Sequence, residues 1–368
     1  MLRVILTTGG TGGHVFPALA VAEELRRQAP RVDILFIGGR YGQEQHWVRE
    51  AGIDFAGLPV RGVLGRGMRS LGGILSMGAS VLEAMNILSE FKPDVVVGFG
   101  SYASFPGVAA AVLRRCPVLI HEQNAFPGLS NRILSRFARR ICLAIPDRLD
   151  KFPKNKTTVT GNPVRSEITD LPGKSFQAGR KRLLIMGGSQ GAASINRAVL
   201  AHLDEFRASG VEIWHQTGNQ GYVNAREVYS RANYDSARVQ CFIDNVAEAY
   251  QWADLTVCRA GASTVAELAV SGMPSVLVPY PHATHNHQLH NAEYMQEQKA
   301  SILIKDEDLN GGNFARSIID LLNDTQRLEQ MSHAARSAGH PDASGKVVEC
   351  IKLALPEKIR EEYWESHA

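Results

Sequence analysis

Twice in this 368-residue chain a run of aliphatic residues ends in a glycine-rich turn that leads straight into a helical pattern. The first is Arg3-Val-Ile-Leu-Thr-Thr-Gly-Gly-Thr-Gly-Gly-His14, with its helix expected from near Val15. The second is Arg182-Leu-Leu-Ile-Met-Gly-Gly-Ser-Gln-Gly-Ala192, with its helix expected from near Ala193. Glycine lets a backbone approach an anion closely, and the helix N-terminus behind it supplies unpaired N–H groups and partial positive charge. One such unit in each half predicts two doubly wound α/β domains whose glycine loops aim at a common cleft and two anionic ligands.

The rest of the chain alternates in the same way. Strands are expected at residues 2–7, 32–37, 94–99, 117–121, 140–144 and 157–160, then at 182–186, 211–216, 239–243, 255–258, 275–278 and 302–305. Helix-length segments separate them, including 15–28 and 102–114, so the sheets should be parallel and covered on both faces. The boundary is expected at Gly161-Asn-Pro-Val-Arg165, giving domains at 1–163 and 164–340 and a helical tail at 341–368. Ile359, Tyr363 and Trp364 are candidate anchors for that tail on the first domain.

Charge divides unevenly. Residues 1–163 carry 20 Lys and Arg against 12 Asp and Glu, a net +8, while residues 164–368 carry 20 against 25, a net −5. A basic first half suits an anionic partner such as a phospholipid surface or a pyrophosphate. Its cations are dispersed and lack interleaved aromatics, so no nucleic acid partner is expected. No apolar run is long enough to cross a bilayer, and no signal-peptide pattern opens the chain. The five cysteines form no Cys-x-x-Cys pair and read as reduced, packed thiols.

His14 stands where the first glycine turn becomes a helix; the local positive potential favours a neutral base, or the ring serves as a structural cap. Gly98-Phe-Gly-Ser-Tyr102 is a further glycine turn, and His121-Glu-Gln-Asn124 follows the next strand. Ligands in open α/β sheets bind outside the carboxyl ends of the strands, where both segments fall. Glu122 is then a base, a hydrogen-bonding anchor or a solvated loop carboxylate. In the second half Glu267, early in the helix after Arg259-Ala-Gly261, either complements the helix dipole or accepts from a ribose diol. Four histidines at His282, His285, His287 and His290 span a loop and a helix start, a spacing unsuited to one metal. Asp306-Glu-Asp308 reads as a polar turn. Residues 62–90 combine Arg66 and Arg69 with apolar residues at helical spacing, fitting a membrane surface or an ordinary core-facing helix.

Six motifs carry a resemblance that covers nearly the whole chain: Thr8-Gly-Gly-Thr-Gly-Gly-His-Val-Phe-Pro17, His121-Glu-Gln-Asn124, Gly161-Asn-Pro-Val-Arg165, Gly187-Gly-Ser-Gln-Gly-Ala192, Ala262-Ser-Thr-Val-Ala-Glu267, and Gln288 with Asn291-Ala292. In that order they resemble the MurG family of bacterial cell-wall transferases. The resemblance implies a GT-B fold of two Rossmann-like domains facing a deep cleft. It implies inverting transfer of N-acetylglucosamine from UDP-N-acetylglucosamine to the 4-hydroxyl of undecaprenyl-pyrophosphoryl-muramoyl-pentapeptide, without a metal or cofactor. The expected setting is peripheral, on the cytoplasmic face of the inner membrane and its anionic leaflet.

The attacking hydroxyl needs a base, and His14 is expected to supply it, with Glu122 as runner-up. Carried over, the resemblance assigns the donor to Thr11, Gly12, Gly13, Asn124, Arg165, Ser189, Ile243, Ala262, Ser263, Thr264, Val265, Ala266, Glu267 and Gln288. Within that set Ser189 holds diphosphate, the Ile243 backbone meets uracil, Glu267 meets ribose and Gln288 reads the sugar. Gly10, Gly98, Gly100, Ser101 and Tyr102 fall to the acceptor. Two positions depart from the family pattern: Ser101, where a third glycine is usual, and Asn286, where aspartate is common. A UDP-sugar epimerase and a non-catalytic sugar-nucleotide sensor are the rival readings.

Overall fold

The computed structural model describes residues 1–10, 12–60, 71–188 and 191–365. The chain divides into two compact units, Met1–Arg165 with Pro341–Ala368, and Ser166–His340.

The first unit holds a seven-stranded sheet of β1 (Leu2–Thr7), β2 (Val32–Gly39), β3 (Asp54–Leu58), β4 (Val95–Gly98), β5 (Val118–Glu122), β6 (Arg140–Leu143) and β7 (Thr157–Val159). Its order is β3-β2-β1-β4-β5-β6-β7, and every pair is parallel. Alternation along β1 feeds two cores. Leu2, Val4 and Leu6 pack with the helices Gly12–Gln28 and Ala343–Ala354, while Ile5 packs with residues of Leu71–Phe91 and Phe105–Leu113 on the other face. Covering on both faces explains why these strands read as continuous apolar runs.

The second unit repeats the plan with β8 (Arg182–Met186), β9 (Glu212–Gln216), β10 (Arg238–Gln240), β11 (Leu255–Cys258), β12 (Ser275–Leu277) and β13 (Ser301–Leu303). The order is β10-β9-β8-β11-β12-β13, again all parallel. Each sheet therefore reverses its strand order once, between β1 and β4 and between β8 and β11. That reversal leaves a crevice at the carboxyl ends of the two central strands.

Four expectations need correction. The first helix starts at Gly12, three residues earlier than expected, and takes both glycines and His14 into its first turn; N–H groups there lack helical partners anyway, so glycine costs little. The edge strand β3 was not foreseen, because Asp54-Phe-Ala-Gly-Leu58 offers no apolar run or clean alternation. The helix expected at 102–114 begins at Phe105, with a proline in its first turn and Ser101 and Tyr102 left in the preceding loop. Finally, β10 stops at Gln240, which leaves Ile243 in the loop beyond it.

The chain end completes the first unit. Val347, Val348, Ile351 and Leu355 are buried in the same core as β1. Arg139 Nη1 donates to the Ala354 carbonyl at 2.8 Å, and the Met1 amino group donates to the Tyr363 hydroxyl at 2.6 Å. Ile359 and Tyr363 pack against this core as partly buried residues.

Candidate active site

In the first unit the loops after β1, β4 and β5 meet at the order reversal. Thr8 Oγ1 donates to the Gly100 carbonyl at 3.2 Å, tying the first glycine loop to the second. Gly10 at φ +96° and Gly100 at φ +76° lie in the left-handed region that glycine alone enters freely. Gly12 is crowded, since a Cβ there would lie 2.7 Å from the Phe16 ring. Gly98 belongs to β4, and its missing Cβ makes room for Val108, which would otherwise be met at 2.6 Å. Its missing Cβ therefore serves the packing of β4 against the helix Phe105–Leu113.

Ser101 takes the left-handed conformation at φ +68°, which explains why glycine suits the position. Its Oγ accepts from the Ala103 N–H at 3.1 Å, and its carbonyl accepts from Ser104 Oγ at 3.0 Å. Tyr102 beside it is half-buried; burial, then the nearby Glu44 carboxylate, raises its phenol. Glu44 was not foreseen as part of this region. Its buried carboxylate accepts from the Gly39 N–H at 2.9 Å, and its Oε1 would lie 2.7 Å from a Cβ on Gly9.

His14 meets residue 123 across a large sequence separation: its Nδ1 is 3.1 Å from Gln123 Oε1, and Gln123 Nε2 donates to the Phe99 carbonyl at 2.7 Å. Glu122 is buried and saturated. Its Oε1 accepts from the Asn124 N–H at 3.0 Å and Asn124 Nδ2 at 3.4 Å; its Oε2 accepts from the Gly128 N–H at 3.0 Å and Asn131 Nδ2 at 2.9 Å. These four bonds suit a hydrogen-bonding anchor, and through them the carboxylate shapes the loop holding Asn124. His121 Nε2 donates to the Gly161 carbonyl at 3.1 Å, and burial pushes its imidazole down to about 4, so it stays neutral. Arg165 stacks over Phe16 of the first helix, its guanidinium carbon 4.7 Å from the ring centre. Gly13 lies in that helix's first turn, and Thr11 lies outside the described residues.

In the second unit the loop after β8 is compressed. Gly188 and Gly191 have φ +74° and +76°, and a Cβ on Gly191 would lie 2.6 Å from the Thr217 carbonyl. The helix behind it, Ala193–Ala201, starts from Ala192, which cannot cap it. The helix Ala262–Ser271 starts from Gly261, also without a side-chain cap. Two helix N-termini with no capping side chain thus stand at the second reversal, the arrangement that favours a phosphate. Ser189 lies outside the described residues.

Gln216, at the end of β9, was missed from sequence; only a polar residue closing a buried strand signalled it. It bridges the site, donating from Nε2 to the Gly188 carbonyl at 2.9 Å and accepting the Ile243 N–H on Oε1 at 3.2 Å. Ala262, Ser263, Thr264, Ala266 and Glu267 are partly exposed on the helix start, whereas the Val265 side chain is buried. Glu267 Oε2 accepts from the Tyr250 hydroxyl at 3.2 Å. Gln288 Oε1 accepts from the Tyr280 N–H at 2.9 Å.

Asp306 does more than shape the polar turn Asp306–Asn310. It accepts from Ser194 Oγ at 2.6 Å and from Arg259 Nη1 at 2.5 Å, pinning the helix after the glycine loop to the loop after β11. Burial pushes the Asp306 carboxyl up, but the bonds from Ser194 and Arg259 outweigh it and hold the group below its ordinary range. The histidines at 282–290 have separate neighbours: Tyr280 for His282, the Thr284 carbonyl for His287 and Glu293 for His290. Among the described residues, no three metal-ligating side chains converge.

Residues 4–143 match the N-terminal domain of glycosyltransferase family 28, and residues 182–347 match its C-terminal domain. A UDP-N-acetylglucosamine–N-acetylmuramyl-(pentapeptide) pyrophosphoryl-undecaprenol N-acetylglucosamine transferase of Nitratidesulfovibrio vulgaris is 50% identical over 352 residues, covering 95% of this chain and 96% of that protein. The crystal structure of Acinetobacter baumannii MurG is similar with a TM-score of 0.76 and 33% identity, covering 96% of this chain and 99% of that one. A UDP-N-acetylglucosamine 2-epimerase structure aligns with a TM-score of 0.67 over 95% of each chain; at 16% identity that likeness is of fold alone.

Proposed function

The chain belongs to the MurG family of GT-B glycosyltransferases, and from that premise we propose that it moves N-acetylglucosamine from UDP-N-acetylglucosamine to the 4-hydroxyl of lipid-linked N-acetylmuramoyl-pentapeptide, a step of peptidoglycan synthesis. The observation that carries the reading is that both sheets reverse their strand order at glycine loops, one per unit. The reaction needs two diphosphate sites, and each loop offers backbone N–H groups to one.

In this proposal the second unit takes the donor. The loop around Gly187, Gly188 and Gly191, with Ser189, holds the diphosphate at the N-terminus of Ala193–Ala201. The Ile243 N–H is already given to Gln216, so the Ile243 carbonyl meets uracil. Glu267 accepts from the ribose, the N-terminal turn at Ala262, Ser263 and Thr264 lines the nucleotide with the backbone of Val265 and Ala266, and Gln288 reads the sugar. From the first unit, Thr11, Gly12, Gly13, Asn124 and Arg165 complete the donor contacts, while Gly10, Gly100, Ser101 and Tyr102 face the acceptor pyrophosphate.

His14 acts as the base. It takes the proton of the acceptor 4-hydroxyl as that oxygen attacks the donor's anomeric carbon from the face opposite UDP. The bond to the β-phosphate oxygen breaks, UDP leaves with the electron pair, and the α linkage becomes β. Helix N-termini stabilise the charge growing on UDP. Glu122, with its acceptor oxygens occupied, holds the Asn124 loop instead of moving protons.

The first unit also fits an anionic membrane surface. Leu82, Leu113, Ile133 and Phe137 are exposed on and beside three successive helices, with Arg132 and Arg136 among them. Exposed apolar residues accompanied by cations bind an interface by burial and by attraction to acidic lipid. No helix among the described residues is long and apolar enough to cross a membrane.

One experiment tests the whole. The protein is incubated with UDP-N-acetylglucosamine and the lipid-linked acceptor, in vesicles with or without acidic lipid, and UDP release and the lipid product are measured. UDP release tied to an extended lipid, faster on acidic vesicles, is the expected result. Free epimerised sugar nucleotide would support the epimerase instead, and binding without UDP release would support a sensor.

A further inference from the structure

We propose that Gln123 is the positioning residue for His14: it holds the ring as the tautomer protonated on Nδ1, so that the lone pair which accepts the substrate proton sits on Nε2. The inference rests on the reading of His14 as the base, but the tautomer itself is decided by geometry already described.

A primary amide has two distinguishable ends, and a carbonyl oxygen can only accept. The Phe99 carbonyl lies 2.7 Å from one end of the Gln123 side chain, so that end is the amide nitrogen. The oxygen then faces His14 Nδ1 at 3.1 Å. Two acceptors cannot share that contact, so the neutral imidazole carries its hydrogen on Nδ1. The orientation is well enclosed. Gln123 is 1% exposed, and a Cβ on Gly100 would lie 3.4 Å from its Oε1 and 3.8 Å from His14 Cε1. Phe99, which sets the amide, is itself fixed by its N–H donating to the Thr7 carbonyl at 3.0 Å. A relay thus runs from the backbone of β1 through the end of β4 and the amide after β5 to the ring on the first helix.

The arrangement matters because free neutral histidine has two tautomers, and the wrong one presents an N–H where a base is required. Fixing the tautomer before substrate arrives removes that loss, and the packed amide also sets the plane of the ring.

The test is nitrogen NMR on the full chain labelled with 15N-histidine, at about pH 8 where an ordinary imidazole is neutral. The His14 signals are identified by their loss in His14→Asn. The expected wild-type result is a pyrrole-type Nδ1 and a pyridine-type Nε2. In Gln123→Met, which keeps the volume but loses the acceptor, that preference should disappear. Turnover should fall by about 10- to 100-fold, less than the about 10²- to 10⁴-fold that a general base supplies, with donor KM within about twofold. A wild-type His14 protonated on Nε2 would overturn the proposal, and so would a folded Gln123→Met protein with unchanged tautomer and unchanged turnover. The wild-type measurement decides even if Gln123→Met does not fold. Failure of the unaltered chain to transfer sugar would strike the transferase reading, while the ring nitrogens report separately on Gln123.

Discussion

Ser101 shows how a single residue records the demands of its loop. A left-handed backbone costs a residue with a Cβ about 1–2 kcal/mol, yet the hydroxyl recovers part of that by accepting the Ala103 N–H. Two substitutions separate these terms. Ser101→Ala keeps the strain and loses the hydrogen bond, so it should cost about 1 kcal/mol in denaturant unfolding. Ser101→Gly loses the bond but relieves the strain, and should stay within about 0.5 kcal/mol of the parent. Equal losses in the two variants would show that the backbone there is unstrained. Legibility at this scale was partial. The strand-ending glycine turns and the His121-Glu-Gln-Asn124 string marked the region of the first site. The functions inside that string were hidden, because the saturation of Glu122 depends on Gly128 and Asn131, and the orientation of Gln123 depends on the Phe99 carbonyl. Such contacts join residues with no periodic relation. Arg259, Ser194 and Asp306 were obscure for the same reason, being drawn from three separate loops or helix starts.

Among the elements, strands with continuous apolar runs could be read to within a residue or two, because burial on both faces leaves no ambiguity of period. Of the edge strands, β7 and β13 could be read as well, but β3 and β10 could not. At β3 and β10 most residues are polar, small or exposed, and pairing with one neighbour is what makes them strands. The helix Ala343–Ala354 tests how firmly the chain end belongs to the first unit. Ile351 is fully buried against residues of β1 and the first helix, whereas Leu353 on the same helix is 50% exposed. Ile351→Ala should destabilise the first unit by about 2–5 kcal/mol, and Leu353→Ala by less than about 0.5 kcal/mol. Urea unfolding of both variants checks this; similar small losses would mean the helix is only loosely attached.

Across the whole molecule, each unit carries one fully buried histidine among the described residues, and together they set an acid limit. Burial holds His121 down to about 4 and His215 down to about 3, against an ordinary value of 6.5. His215 is enclosed between the Tyr229 hydroxyl and Asn196 Oδ1, both at 3.1 Å. As pH falls below 6.5 the unfolded chain takes up protons that the folded chain refuses, so stability present above that pH drains away until the folded values are reached. By pH 5 each histidine should cost about 2 kcal/mol, at roughly 1.4 kcal/mol per unit. Unfolding curves of the full chain between pH 7.5 and 5, followed by tryptophan emission, should show both transitions weakening; stability that stays flat would mean the rings are protonated or solvated in the fold. The packing of residues 343–355 into the first unit has a consequence for synthesis. A ribosome that has released residue 340 has delivered the whole of the second unit, while the first still lacks one wall. The half made earliest is therefore the half finished last, and until then its oldest strands must wait with apolar surface uncovered, where a chaperone would find them.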